Sequence, residues 1–177
     1  QEELIIKTKN NLKLKFKMKD LGELKYFLGI EFARSSKGVI MHQRKYVLEL
    51  VSELGLSAAK PSSTPLDPNV KLTSKDYDDL KDNNSSSQDP LLSDISSYQK
   101  IIGKLLYLTV TRPDIAFGVQ TLSQYLQKPK KSHMEAAMRI ARYVKNLPGL
   151  GIHVSNESIK ELVAYCDADW AACTHTR

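Results

Sequence analysis

Asp167 and Asp169, in the run Tyr165-Cys166-Asp167-Ala168-Asp169-Trp170, are the residues whose type and spacing most suggest catalysis. The apolar Leu162, Val163 and Ala164 before them read as a strand that would deliver both carboxylates at its end, beside small residues. Clustered carboxylates are what a hard divalent cation such as Mg²⁺ takes as ligands. A two-metal hydrolase draws ligands from several elements, and Arg177 closes the sequence before others could follow. The expectation is a site that is incomplete and inert by itself. Asp78-Asp79 lies in an acidic stretch without apolar strand flanks and reads as solvated. No Tyr-x-Asp-Asp occurs and no other Asp pair falls on a hairpin tip, so a polymerase-type metal site is not expected.

The second chemistry is cationic. The formal net charge is +6 over 177 residues, which favours polyanionic partners. Lys7, Lys9, Lys13, Lys15, Lys17, Lys19 and Lys25 crowd the first part of the chain. Lys128, Lys130, Lys131, Arg139, Arg142 and Lys145 crowd a late segment, and Asp76, Asp78, Asp79, Asp82, Asp89 and Asp94 form an acidic spacer between. Lys100, Lys104 and Arg112 flank a helix, a break and a second helix, and positioned cations are all that phosphate contact needs. Arg139, Arg142 and Lys145 share one helical face as a second strip. Faces of this kind are commonly no more than solvated.

Other chemistries are poorly represented. No Ser-His-Asp order, glycine-rich phosphate loop or paired histidines at metal spacing is present, and His133, which begins a helix, is given no catalytic role. Two cysteines are too few for a disulfide framework, which makes a reduced, intracellular and non-secreted protein the expectation. Cys173 and His175 lack companions at zinc spacing. No apolar run approaches a membrane span, and Gln-Glu-Glu-Leu at the start has no signal-peptide character.

The elements that must position these residues can be read from periodicity. Residues 12–19 alternate Leu12, Leu14, Phe16 and Met18 against Lys13, Lys15, Lys17 and Lys19, the pattern of an amphipathic strand. Asp20-Leu21-Gly22 is a turn. Residues 25–32 form a strand that pairs with 39–42 across a polar loop at 34–38. Tyr46, Val47, Leu50, Val51 and Leu54 mark a helix face that ends at Gly55. Residues 57–96, with Pro61, Pro65, Pro68 and Pro90 and the run Asn83-Asn84-Ser85-Ser86-Ser87, read as a linker, disordered in part. Helices follow at 97–109, 115–127 and 132–146. Pro113 breaks the first from the second, Thr111 and Asp114 are capping candidates, and Ser132 with Glu135 resembles a capping box. Gly103 offers a place for another backbone to approach. Strands are expected at 150–153 and 161–166.

Several of these stretches resemble one family. The run S-Y-Q-K-I-I-G-K-L-L-Y-L-T-V-T-R-P-D-I-A-F from Ser97 to Phe117 closely resembles the thumb of copia-type retrotransposon reverse transcriptases. M-K-D-L-G-E-L-K-Y-F-L-G-I-E from Met18 to Glu31 is similar to the segment that follows the catalytic Tyr-Val-Asp-Asp hairpin in those enzymes. The resemblance implies a helix to about Leu14 that passes into a strand near Phe16. It also implies a primer grip in which Gly29 permits close backbone approach while Tyr26, Phe27 and Leu28 touch the primer terminus. The residues alone give an ordinary hairpin with Phe27 in a core. The Asp-Ala-Asp-Trp run looks like the first strand of the ribonuclease H domain, which makes Asp167 a Mg²⁺ ligand, although Ala172 stands where that family usually has Gly.

The resemblance thus implies an α+β fold from a reverse transcriptase right hand within a Pol polyprotein. Its parts would be distal palm and hairpin (1–56), linker (57–96), helical thumb and connection (97–149) and the start of ribonuclease H (150–177). The implied parent activity is RNA-directed DNA synthesis with Mg²⁺, and the implied partners are an RNA–DNA hybrid or primer–template and the rest of the polyprotein. A chain without the Asp-Asp motif is expected to bind nucleic acid through Tyr26, Phe27, Leu28, Gly29, Lys100, Lys104, Arg112, Arg139 and Arg142, and to carry no metal itself. The alternatives are a non-catalytic helical interaction module and a metal-dependent nuclease centred on Asp167.

Overall fold

The computed structural model describes residues 2–81, 89–157, 161 and 163–165, so Asp167 and Asp169 lie outside the described residues, as does the whole run Asn83-Asn84-Ser85-Ser86-Ser87. The fold is mixed α and β: four helices share one core, and a four-stranded antiparallel sheet lies beside them.

The core helices are α2 (Arg44–Glu53), α4 (Ile95–Leu108), α5 (Ala116–Ser123) and α6 (Lys131–Asn146). Tyr98, Ile101, Ile102, Leu105 and Leu108 recur at helical spacing, so α4 turns one apolar stripe inward. Val47, Leu50 and Val51 of α2, Val119 and Leu122 of α5 and Ala137, Ile140 and Val144 of α6 meet it. Each fully buried aliphatic side chain contributes about 2–3 kcal/mol by leaving water. Asp94 caps α4 by accepting the Ser97 N–H at 3.1 Å, a cap one turn before the expected start. α2 ends as its sequence says it should. Gly55 takes φ +67°, and the N–H groups of Leu56 and Gly55 donate to the carbonyls of Val51 and Ser52, a Schellman motif.

The sheet order is β1 (Tyr26–Phe27), β2 (Ile30–Ser35), β3 (Gly38–His42) and β4 (Gly151–Ser155). The expected strand over 25–32 is instead broken. Leu28 at φ +48° and Gly29 at φ +83° form a two-residue turn, and Phe27 faces Ile30 across it. Two consecutive positive φ values are the primed-turn geometry whose twist matches a hairpin. β2 pairs with β3 from Glu31 with His42 to Ser35 with Gly38, so the strand runs into what read as loop. β4, expected to open the final unit, pairs with β3 of the first: Gly38 lies opposite Ser155 and His42 opposite Gly151.

Three further expectations change. Residues 12–15 belong to α1 (Glu2–Lys15), which buries no side chain: the alternation at 12–15 is no strand, the helix to about Leu14 that the resemblance implied is present, and no strand follows at Phe16. The 57–96 stretch carries a helix, α3 (Lys75–Lys81), and Leu66, Leu72 and Leu92 pack on the core, because leucines spaced among prolines can dock singly without a regular period. The cap of α6 is Lys130 rather than Ser132: its backbone N–H donates to Nδ1 of His133 at 3.0 Å, and the Ser132 N–H goes to Asp89 at 3.0 Å. Val163, Ala164 and Tyr165 carry no strand; the other residues of that expected strand, apart from Glu161, lie outside the described ones.

Candidate nucleic-acid interface

The turn at Leu28-Gly29 is apolar and open. Tyr26, Phe27 and Leu28 remain 56%, 57% and 70% exposed, which places Phe27 on the surface and not in a core. The turn leans on α4. The Tyr107 hydroxyl donates to the Leu28 carbonyl, and a Cβ on Gly29 would lie 3.6 Å from that hydroxyl oxygen. Tyr107 follows Lys104 by three residues and Lys100 by seven, so the three share one stripe of the helix. Tyr46 of α2 braces the group from behind. Its ring meets that of Tyr107 edge-on at 5.2 Å, and its hydroxyl donates to the Lys104 carbonyl at 3.2 Å.

Glu53, at the end of α2, collects both cations. Its Oε1 lies 3.1 Å from Lys100 Nζ, and its Oε2 accepts from Lys104 Nζ. Hydrogen bonds from Lys104 and then Lys100 hold the Glu53 carboxyl below the usual range. Lys100 keeps 67% of its side chain exposed, so its charge stays available to an anion in solvent. The structure therefore brings together Tyr26, Phe27, Leu28, Gly29, Lys100 and Lys104. Gly103 is exposed with open space above it, so no described residue uses the approach it offers.

The remaining arginines lie elsewhere. Arg112 is 2% exposed and bound inside the fold. Its Nε and Nη2 form a fork on the Asp114 carboxylate at 2.9 and 2.7 Å, its Nη1 donates to the Leu147 carbonyl at 3.1 Å, and its guanidinium lies 5.6 Å from the centre of the Tyr143 ring. Burial pushes the Asp114 carboxyl up, but the Arg112 guanidinium outweighs it and holds the group below its ordinary value. Asp114 is thus a counter-ion and not a cap, and Arg112 presents no charge to a phosphate. Thr111 donates to Gln43 Oε1 at 2.8 Å, which ties α2 to the same break.

Arg139 is turned toward the 57–73 stretch: Nη2 donates to Thr64 Oγ1 at 3.0 Å, and Nη1 lies 3.5 Å from Asp67. With Arg142 it lines a cavity of about 230 Å³ floored by Leu66, Val70 and Leu72. Lys145 does not extend this strip. Its ammonium donates to the carbonyls of Leu56, Ser57 and Ala59 at 3.0, 2.7 and 2.6 Å, closing the chain that leaves α2.

Asp78, expected to be solvated, is instead part of a buried polar cluster. Lys130 Nζ, with its side chain 4% exposed, reaches Asp78 at 2.6 Å, Asp89 at 3.2 Å and Thr73 Oγ1 at 3.1 Å. Burial raises the Asp78 carboxyl, and the Lys130 and Thr73 hydrogen bonds bring it below its usual value. His133 stacks on Tyr125 at 3.9 Å. Its Nδ1 accepts from Lys130, so Nε2 carries the proton and donates to the Thr73 carbonyl at 3.1 Å. Among the described residues no group of three or more His, Cys, Asp or Glu is placed to hold a metal ion.

Sequence reasoning missed Tyr107, Tyr46 and Glu53. The signal for Tyr107 was its place on the Lys100 and Lys104 stripe. Glu53 could be found only by knowing that α2 packs beside α4.

Comparison with known proteins adds the family. Residues 1–68 match the model for reverse transcriptase (RNA-dependent DNA polymerase). The chain is 40% identical over 168 residues to the retrovirus-related Pol polyprotein from transposon RE1 of Arabidopsis thaliana, covering 95% of this chain and 11% of that one. It is 37% identical over 171 residues to the RE2 polyprotein of the same plant, covering 97% of this chain and 11% of that one. It is 37% identical over 162 residues to the uncharacterized mitochondrial protein AtMg00810 of Arabidopsis thaliana, covering 92% of this chain and 62% of that one. The chain thus spans about a tenth of the two polyproteins and about three-fifths of the mitochondrial protein. No solved structure gives a significant match. Similarity of this order along nearly the whole chain, with the reverse transcriptase match over α1, β1 to β3 and α2, bears out the resemblance read from the sequence: the chain corresponds to a segment of the retrotransposon Pol polyproteins.

Proposed function

We propose that this chain holds a primer–template for a reverse transcriptase of the Pol polyprotein kind without itself supplying the polymerase carboxylates. The turn of Tyr26, Phe27, Leu28 and Gly29 meets the primer end, and Lys100 and Lys104 take phosphates of the hybrid. One observation supports this most. Residues more than seventy positions apart in sequence, one set apolar and one cationic, converge on a single exposed surface through Tyr107 and Glu53. A duplex end presents stacked bases beside a charged backbone, and it needs both kinds of contact. In this reading residues 1–56 act as distal palm, 97–149 as thumb and connection and 150–177 as the start of a ribonuclease H unit, in an intracellular particle or nucleus. Asp167 is the proposed Mg²⁺ ligand of that last unit. Arg139 and Arg142 form a secondary contact, and Arg112 supports the fold.

The test is fluorescence anisotropy of a labelled RNA–DNA hybrid with a recessed DNA end. Affinity should fall steeply with salt and depend little on sequence. Lys100→Glu with Lys104→Glu should weaken binding about tenfold or more, against about two- to threefold for Lys60→Glu with Lys71→Glu. Equal losses would mean that bulk charge alone drives binding. The competing reading is a protein-interaction module, and it has one observation in its favour. Phe117 is 75% exposed and lines one open pocket with Leu106, itself 38% exposed. Binding insensitive to salt, or no binding of the hybrid at all, would favour that module.

A further inference from the structure

Leu28 holds a backbone angle, φ +48°, that a residue with a Cβ seldom adopts and that the primed turn requires. The group that secures the turn to α4 is Tyr107, through the hydroxyl bond to the Leu28 carbonyl and a ring edge lying under Gly29. Tyr107 is itself fixed. Tyr46 packs edge-on against its ring, and the Tyr46 hydroxyl is bound to the Lys104 carbonyl on the same helix. One phenol thus connects the apolar turn of the interface to the helix that carries its cations.

We propose that Tyr107 is a positioning residue of the nucleic-acid interface, pinning the turn to α4 so that the apolar tip and the two lysines engage one duplex end together. The proposal rests on the primer–template reading above. Without the pin, Lys100 and Lys104 still neutralise the same phosphates, so the salt dependence of binding is kept. What is lost is the cooperation of the tip, and with it the preference for a recessed primer end over a blunt one. Only a positioning role predicts that split; a residue needed merely for folding would lower every form of binding together.

The experiment uses the full chain with Tyr107→Phe, Tyr46→Phe and Gly29→Ala. Two labelled RNA–DNA hybrids, one recessed and one blunt, are titrated at several salt concentrations, and amide hydrogen exchange is followed at Phe27, Leu28, Gly29 and Ile30. Tyr107→Phe should weaken recessed-end binding about fivefold, the size of one net hydrogen bond. Blunt-end binding and the slope of log affinity against log salt should stay unchanged, and exchange at the turn should quicken. Tyr46→Phe should leave turn exchange as in wild type. Gly29→Ala, which disturbs the turn from its own backbone, should reproduce the recessed-end loss even if Tyr107→Phe proved unstable. Wild-type affinity and end preference in both Tyr107→Phe and Gly29→Ala would overturn the positioning role alone. A wild-type chain that binds neither hybrid would overturn the primer–template reading, and this role with it.

Discussion

Arg112 shows how little a residue's charge says about its use. It lies two positions before Asp114, with Pro113 fixing the backbone between them, and that spacing folds the guanidinium back onto its own carboxylate. The Arg-Pro-Asp spacing was visible, but whether Arg112 faced water or Leu147 and Tyr143 was not. Arg112→Lys keeps the charge and loses the fork, the Leu147 bond and the planar contact with Tyr143. It should cost about 2–3 kcal/mol of stability, read from urea unfolding, because the hydrogen bonds that satisfy a buried cation are lost. The salt slope of hybrid binding should not change. A slope reduced by about one would return Arg112 to the phosphate contacts.

At the scale of elements, legibility followed the range of the forces involved. α2, α4 and α6 could be read because Val47, Leu50 and Val51, or Tyr98, Ile101, Ile102 and Leu105, repeat within a few residues. Periodicity alone did not give α1, since alternating Leu and Lys at 12–19 copied a strand's period while residues 12–15 lie solvated at the end of a helix; the resemblance supplied it. The turn at Leu28 was hidden because leucine is not a residue whose type signals the positive φ that a primed turn requires. β4 was legible as a strand but not as the partner of β3, since pairing over such a separation leaves no local trace. That ladder is closed at both ends by glycines. A Cβ on Gly38 would come 2.1 Å from the Val154 carbonyl oxygen, and one on Gly151 would come 2.0 Å from that of Met41. Gly151→Ala should therefore detach β4. Exchange at the amides of β3 should quicken while helical circular dichroism stays near wild type. Unchanged protection along β3 would show that the strand tolerates the methyl group.

For the molecule as a whole, the cluster around His133 makes stability depend on pH. Burial, and then the Lys130 ammonium, push the His133 ring down from 6.5 to about 4. The folded chain thus resists a proton that the unfolded chain accepts. The stabilisation is complete above the unfolded value near 6.5 and is lost as pH falls from there to about 4. Integrated over that window it amounts to roughly 3 kcal/mol. Asp78 and Asp89, both held below their usual values, add a further loss only under more acid conditions. Urea midpoints should fall steadily from pH 6.5 to 4.5 in wild type and much less in His133→Gln. Parallel curves for the two proteins would remove His133 as the cause.

The pairing of β3 with β4 also sets a schedule for the nascent chain. His42 leaves the ribosome roughly a hundred residues before its partner Gly151. At about 5–20 residues per second, the hairpin of β2 and β3 spends on the order of ten seconds with one edge unpaired. Such an edge is a template for any extended segment nearby, including the same edge on a neighbouring chain from the same polysome. All four helices of the core, α2 included, are synthesised during that interval. Its collapse therefore brings the tail of α6, and β4 just behind it, to an edge that has been open to competitors throughout.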